Sequence, residues 1–179
     1  MMLKLENTGL IIVDVQGKLA RIVDNSESVI NNIAKLIQGA QALSVPVVCL
    51  EQYPQGLGET VDELRTLLLG QPIAKTTFSG WGNEEFRQAI HHSGRKQWLI
   101  CGIETHVCVY QTAMDMLEEG YQLDIVEDAV SSRTVNNRNI ALQKLASAGA
   151  GLSSVEMALY ELVGDSSSAA FKAILPIVR

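Results

Sequence analysis

The stretch TGLIIVDV at residues 8–15 is an apolar run, rich in β-branched residues, that reaches a carboxylate at Asp14. It is followed by SESVINNIAKLIQGAQALSV at 26–45, in which apolar residues recur at helical spacing. VPVVCLE at 45–51 then has the length and composition of a second buried strand. A buried strand, an amphipathic helix and another buried strand are typical of a β-α-β unit with parallel strands.

The same alternation continues along the rest of the chain. Because the predicted strands are apolar on both faces, the sheet should be parallel and covered by helices on each side. We therefore predict one domain over residues 1–179, an α/β fold with three αβα layers and a mostly parallel six-stranded sheet of Rossmann-like topology. The further strands are predicted at 71–75, 96–102, 121–128 and 150–154, and the further helices at 59–70, 82–94, 105–120, 134–149 and after a capping-box pair, Ser153 and Glu156.

Composition excludes several classes of function. The chain of 179 residues has a formal net charge of −6 and no run of Lys and Arg, which argues against a nucleic-acid partner. Its longest apolar runs are strand-length, so we expect no membrane contact. The three cysteines are odd in number and no export signal precedes them, so we expect free thiols and a cytoplasmic protein. No glycine-rich phosphate-binding motif follows a strand, which argues against a nucleotide cofactor.

Parallel α/β folds place their sites at the carboxyl ends of strands, and two charged residues lie there. Asp14 ends the first predicted strand and Lys75 ends the third. Alone, Asp14 could equally be a helix cap or an ion-pair partner, and a lone lysine is usually a solvated surface charge. Together at one sheet edge, the lysine could hold the carboxylate in place.

Cys108 lies just after the strand KQWLICG at 96–102. With Thr105 as N-cap, Cys108 is the third helical residue, where free backbone N–H groups and the helix dipole favour a thiolate. Lys75 would add to that effect, and the same N–H groups could bind an oxyanion. The alternative, a small buried apolar side chain, suits Cys49 and Cys101, which lie inside strands.

Three motifs in this order resemble a known family. DVQ at 14–16, Lys75 followed by TTFS, and GIETHVCV at 102–109 are similar to the isochorismatase-like cysteine hydrolases. EQYPQGLGETVDEL at 51–64 and VEDAVSSR at 126–133 resemble most closely the subgroup of isochorismatase domain-containing proteins. The resemblance runs from about Thr8 to Val163.

This resemblance implies a catalytic triad of Asp14, Lys75 and Cys108. It also implies a cis peptide bond between Ile103 and Glu104, and an oxyanion hole made by the backbone N–H groups of Glu104 and Cys108. The remaining residues that it places near the substrate are Gln16, Tyr53, Phe78, Trp81 and Thr105.

The departures from the family matter as well. Nicotinamidases of this family carry an Asp/His metal site after the second strand, where this chain has LEQYPQG without histidine. The histidines, His91, His92 and His106, have no ligand spacing, so we predict no metal and no other cofactor. The family usually forms dimers or larger assemblies, which implies a homo-oligomer.

We therefore expect a hydrolase that acts on the C–N bond of a small amide, or on a related acyl compound, through a cysteine thioester. Two alternatives stay open. One is hydrolysis of an isochorismate-type vinyl ether, with Asp14 as acid and no covalent intermediate, although the presence of Cys108 argues against it. The other is a non-catalytic ligand-binding protein of the same fold.

Overall fold

The computed structural model describes residues 2–179, which contain a six-stranded, all-parallel sheet in the order β3-β2-β1-β4-β5-β6. The predicted α/β class and parallel sheet are confirmed. The strands are β1 (Thr8–Val13), β2 (Val47–Gln52), β3 (Ile73–Lys75), β4 (Gln97–Ile103), β5 (Gln122–Ser131) and β6 (Gly151–Ser153).

Helices cover both faces of the sheet. They are α1 (Leu19–Ile22), α2 (Ser26–Ala42), α3 (Pro54–Leu57), α4 (Asp62–Arg65), α5 (Glu84–Ser93), α6 (Tyr110–Glu118), α7 (Val135–Ser147), α8 (Val155–Val163) and α9 (Ala169–Val178). Short 3₁₀ turns lie at Leu5–Asn7 and Gly80–Gly82. Within residues 2–179, no helix combines the length and the apolar character needed to cross a bilayer.

Alternate residues of β1 enter two separate cores, because successive side chains of a strand point to opposite faces. Leu10 and Ile12 pack in the core formed with α2, α8 and α9. Ile11 and Val13 pack in the core formed with α5, α6 and α7. All six residues of β1 are buried, which explains why its sequence is apolar without alternation.

The strand order creates one topological switch point. From β1 the chain builds β2 and β3 on one side, and then returns to place β4 on the other side of β1. Crevices at such points are where α/β proteins bind ligands, at the carboxyl ends of the strands. Asp14 follows β1 at this crevice, and the turn that carries Cys108 follows β4.

Several predicted elements differ from the observed ones. The predicted helix at 59–70 is helical only over Asp62–Arg65, and the last predicted helix has Ser154, not Ser153, as its N-cap. Strand β5 runs on to Ser131, and its register against β4 shifts between Ile100 and Gly102. Helix α9, which was not predicted, ends the chain and packs through Ile174 into the core beside α2.

Candidate active site

Asp14 lies at the carboxyl end of β1 in a left-handed backbone conformation, with φ of 51°. Aspartate tolerates this conformation better than most residues. The turn is held by its backbone, since Asp14 N donates to Leu50 O at 3.1 Å and Gln16 N donates to Asp14 O at 2.9 Å. The side chain therefore leaves the strand and enters the crevice, where it is only 2% exposed.

Lys75 reaches Asp14 from β3, across the end of β2. Its Nζ lies 2.8 Å from Asp14 Oδ2, and its own side chain is fully buried. The ammonium also donates to Gln52 Oε1 at 2.6 Å, to Phe78 O at 3.0 Å and to Thr77 O at 3.2 Å. Lys75 is therefore a dehydrated cation held in one position by four acceptors.

Cys108 is carried by a π-helical turn, Thr105–Val109, that precedes α6. The N-cap is Glu104 and not Thr105 as expected, and its carbonyl accepts from Val107 N at 3.1 Å and Val109 N at 3.3 Å. The N–H of Cys108 lies between those of Val107 and Val109 in the same turn. The expected cis peptide bond between Ile103 and Glu104 is present.

The electrostatics of the pair Asp14 and Cys108 differ from the sequence-based expectation. Burial raises the pKa of Asp14 above its ordinary value, and Lys75 offsets part of that effect. Burial and the negative charge of Asp14 raise the pKa of Cys108 to about 12, although Lys75 acts in the opposite direction. The expectation that the helix start and Lys75 lower the pKa of the thiol is therefore wrong, because it did not count desolvation.

Gly102 brings β4 close to β1 at the crevice. It pairs with Val13 and has φ of 115°, a region that side chains rarely occupy. A Cβ atom here would lie 2.1 Å from the carbonyl oxygen of Val13, the residue before Asp14. Glycine is thus needed for the close approach of the strand that leads to the cysteine.

Two further polar residues, Ser132 and Arg133, support the nucleophile turn, and no site role was predicted for them from the sequence. Glu104 Oε1 accepts from Arg133 N at 3.1 Å and from Arg133 Nε at 3.0 Å. His106 Nδ1 lies 2.9 Å from Ser132 Oγ. The only sequence signal was their position in VEDAVSSR, since β5 ends at the same sheet edge as β4. The register shift of β5, which no sequence pattern reveals, brings them to the turn.

The residues expected near the substrate lie in different surroundings. Thr105 is buried beside Cys108, and its hydroxyl has no hydrogen-bond partner among the described residues. Tyr53 and Phe78, 54% and 55% exposed, lie on the loops around Lys75. Gln16 is fully buried, and its amide bonds to the backbone of Gln52 and Gly58.

Trp81 is not brought to the triad. Its ring packs edge-on against Phe86, His91 and Tyr121, with ring centroids 6.3, 5.7 and 5.6 Å away. Tyr121 immediately precedes β5, at the end of the sheet opposite the crevice. Trp81 therefore lies with α5 and the start of β5 rather than beside Asp14.

Thr60, in the segment after β2, donates two hydrogen bonds to the carboxylate of Glu51, which lies in β2. Glu51 Oε1 accepts from Thr60 N at 2.7 Å and from Thr60 Oγ1 at 2.6 Å.

In the part of the chain that the structure describes, no group of three or more His, Cys, Asp or Glu residues is placed to hold a metal ion. The three cysteines are free thiols.

Comparison with known proteins agrees with this arrangement. The sequence profile of the isochorismatase domain matches residues 8–157. The chain belongs to the isochorismatase family. Isochorismatase domain-containing protein 2 of Bos taurus is 39% identical, over 95% of this chain and 82% of the relative. The secreted isochorismatase effector Isc1 of Phytophthora sojae is 38% identical, over 95% of this chain and 83% of the relative.

Solved members of the isochorismatase fold superpose closely. The MAR1 ribonuclease of Caenorhabditis elegans has a TM-score of 0.94 and 35% identity, and the match covers 99% of this chain and 92% of that one. YcaC of Escherichia coli, an octameric hydrolase of unknown specificity, has a TM-score of 0.90 and 27% identity, with 98% and 92% covered. Membership of the isochorismatase family indicates a hydrolase.

Proposed function

We propose that this protein is a cysteine hydrolase that cleaves a small non-peptide amide or a related acyl compound through a thioester on Cys108. The observation that carries the proposal is the buried contact between Lys75 and Asp14 beside the thiol. Asp14 Oδ2 is taken by Lys75, while Asp14 Oδ1 is buried and, within residues 2–179, is not engaged by Lys75 or by any backbone N–H. The Cys108 thiol is close enough to the Asp14 carboxyl for a weak hydrogen bond to affect the pKa values of both groups. Oδ1 is thus the oxygen left to accept the thiol proton.

The reaction begins from the neutral thiol, in keeping with its raised pKa. As Cys108 Sγ attacks the carbonyl carbon, Asp14 takes the proton from sulfur. The N–H groups of Glu104 and Cys108 stabilise the oxyanion of the tetrahedral intermediate. Asp14 then gives its proton to the leaving nitrogen, the C–N bond breaks, and the thioester remains.

Water then hydrolyses the thioester, and Asp14 again acts first as a base and then as an acid. Asp14 removes a proton from water, and the hydroxide formed attacks the thioester carbonyl. The second tetrahedral intermediate collapses, the carboxylic acid leaves, and sulfur recovers its proton from Asp14. Lys75 is not consumed in either half of the reaction and holds Asp14 in place. No step needs a metal or another cofactor.

The surroundings of the site support further parts of the proposal. Tyr53 and Phe78 are aromatic and more than half exposed on the loops beside Lys75, where they would line the approach of the substrate.

The octameric state of YcaC supports a homo-oligomer for this chain as well. The net charge of −6 argues against RNA as substrate, even though one relative is described as a ribonuclease. Three free cysteines support a reducing, cytoplasmic location.

The proposal is tested by mass spectrometry of the intact protein after brief incubation with a library of small amides and esters. We expect an acyl adduct on the peptide that contains Cys108, and none in the Cys108→Ala variant. RNA oligonucleotides and a vinyl ether are included as competing substrates. Turnover of either without any adduct would reject the thioester mechanism.

A further inference from the structure

Two glutamines, Gln16 and Gln52, connect the loops around the buried pair of Asp14 and Lys75. Gln16 follows Asp14 by two residues, and Gln52 is the last residue of β2, between the strands that carry the pair. Neither glutamine belongs to the three catalytic groups of the proposed function. Their hydrogen bonds form a continuous path from the loop after β1 to the ammonium of Lys75.

The first part of the path is a backbone clamp made by Gln16. Its Oε1 accepts from Gln52 N at 2.6 Å, and its Nε2 donates to Gln52 O at 3.0 Å. The same Nε2 donates to Gly58 O at 2.6 Å. Because the Gln16 side chain is fully buried and bonds to both polar groups of one residue, it fixes the backbone of Gln52.

The second part is the side chain of Gln52, whose orientation is decided by its partners. Its Nε2 donates to Thr76 O at 2.8 Å. Its Oε1 accepts from Lys75 Nζ at 2.6 Å, the shortest of the four contacts of that ammonium. Thr76 O can only accept a hydrogen bond, and the Lys75 ammonium can only donate one. The amide nitrogen of Gln52 must therefore face Thr76, and its oxygen must face Lys75.

Neutral acceptors matter at this position because the pair is dehydrated. A buried ammonium next to a buried carboxylate can lose its charge by passing a proton to its partner. An amide oxygen stabilises the ammonium without adding a second negative charge. The other ionisable groups that act on Asp14 are Cys108 and Glu51, and Glu51 is engaged by Thr60.

We propose that Gln52, held by Gln16, is a positioning residue that keeps the Lys75 ammonium aimed at Asp14 Oδ2, so that Asp14 remains available as the base. This inference rests on the proposed function, which assigns Asp14 as the base. The hydrogen bonds on which it depends can be tested without measuring turnover.

The test follows the titration of Asp14 directly, by carbon-13 NMR of protein labelled at aspartate Cγ, with Asp14→Asn to assign the signal. Gln52→Met keeps the length of the side chain but removes the acceptor. We expect the titration midpoint of Asp14 to rise by about one pH unit, the size expected for one lost hydrogen bond to a charged group. The acid limb of kcat/KM should move by the same amount. The matched control is Gln71→Met, at an exposed glutamine before β3, which should leave the midpoint unchanged.

An unchanged midpoint in a folded Gln52→Met protein would overturn the inference. If that variant does not fold, as judged by thermal unfolding, Gln52→Asn provides a second test, because the shorter amide keeps the polar group, adds no charge and withdraws the acceptor from Lys75. It should also raise the midpoint, and an unchanged midpoint in the folded Gln52→Asn protein would refute the inference. A raised midpoint together with full turnover in Cys108→Ala would instead reject the proposed function and leave the positioning role standing.

Discussion

Lys75 Nζ lies 2.8 Å from Asp14 Oδ2, and the two side chains are 0% and 2% exposed. The pair joins β3 to β1 across the intervening strand β2. Two dehydrated charges of opposite sign depend on one another, because either of them alone would be a buried, uncompensated charge. The contact that the proposed chemistry uses therefore also affects the stability of the fold.

The substitution Lys75→Met should lower the free energy of unfolding by about 3–5 kcal/mol, the range for breaking a buried ion pair from one side. Lys75 lowers the pKa of Asp14, so its removal raises that pKa further. The folded variant then binds more protons than its unfolded chain, and its stability falls as pH rises from about 4, the unfolded value, towards the raised pKa. Urea unfolding across this range measures both effects.

A double variant provides the control for this prediction. In Asp14→Asn combined with Lys75→Met neither charge is left alone, so the loss of stability should be smaller than the sum of the two single losses. Arg21→Met removes an exposed pair with Glu63, where both side chains are 48% exposed, and should cost less than about 1 kcal/mol. Additive losses at 14 and 75 would show that the pair is not coupled.

The pH dependence of activity should report Asp14. The carboxylate must be ionised to take the thiol proton, so kcat/KM should fall as pH falls through the pKa of Asp14. Because burial raises that pKa, the acid limb should lie above ~3.9, the ordinary value for aspartate. An acid limb at or below that value would mean that Asp14 is not the base of the free enzyme.

Substitutions of the nucleophile and the base separate the two enzymatic mechanisms. In amide hydrolysis through a thioester, Cys108→Ala and Asp14→Asn should each lower kcat by several orders of magnitude, and the double variant should be little worse than either. Vinyl-ether hydrolysis needs Asp14 as acid but not the thiol. Near-normal kcat in Cys108→Ala, with Asp14→Asn inactive, would replace the first mechanism with the second.

Gly102→Ala should destabilise the protein by at least about 3 kcal/mol, since the new Cβ meets the carbonyl of Val13 at 2.1 Å in a strained backbone conformation. Thermal and urea unfolding measure the loss. Gly70→Ala is the matched control, because nothing lies within 4 Å of its Cβ position, and it should change stability by less than about 1 kcal/mol. Equal effects of the two substitutions would contradict the close approach of β4 to β1.

Local sequence patterns predicted much of this molecule because they encode burial and periodicity. The apolar runs before Asp14 and before Gly102 predicted strands buried on both faces, and both are central strands of the sheet. Parallel strands bring their carboxyl ends to one edge, so Asp14 and Lys75 could be expected together, and they are. Helix α9 was missed, and its apolar face became apparent only where Ile174 meets the core beside α2.

The sequence by itself determined the layered parallel sheet, the edge at which polar side chains collect, and the family to which the motifs point. The tertiary structure alone decided that the pKa values of Cys108 and Asp14 are raised, because desolvation depends on the packing that surrounds them. It also decided which polar residues support them. The amide of Gln52 reaches Lys75 at the end of β2, where Gln16 holds its backbone. The guanidinium of Arg133 reaches Glu104 through the register shift of β5, and neither contact leaves a periodic signal in the chain.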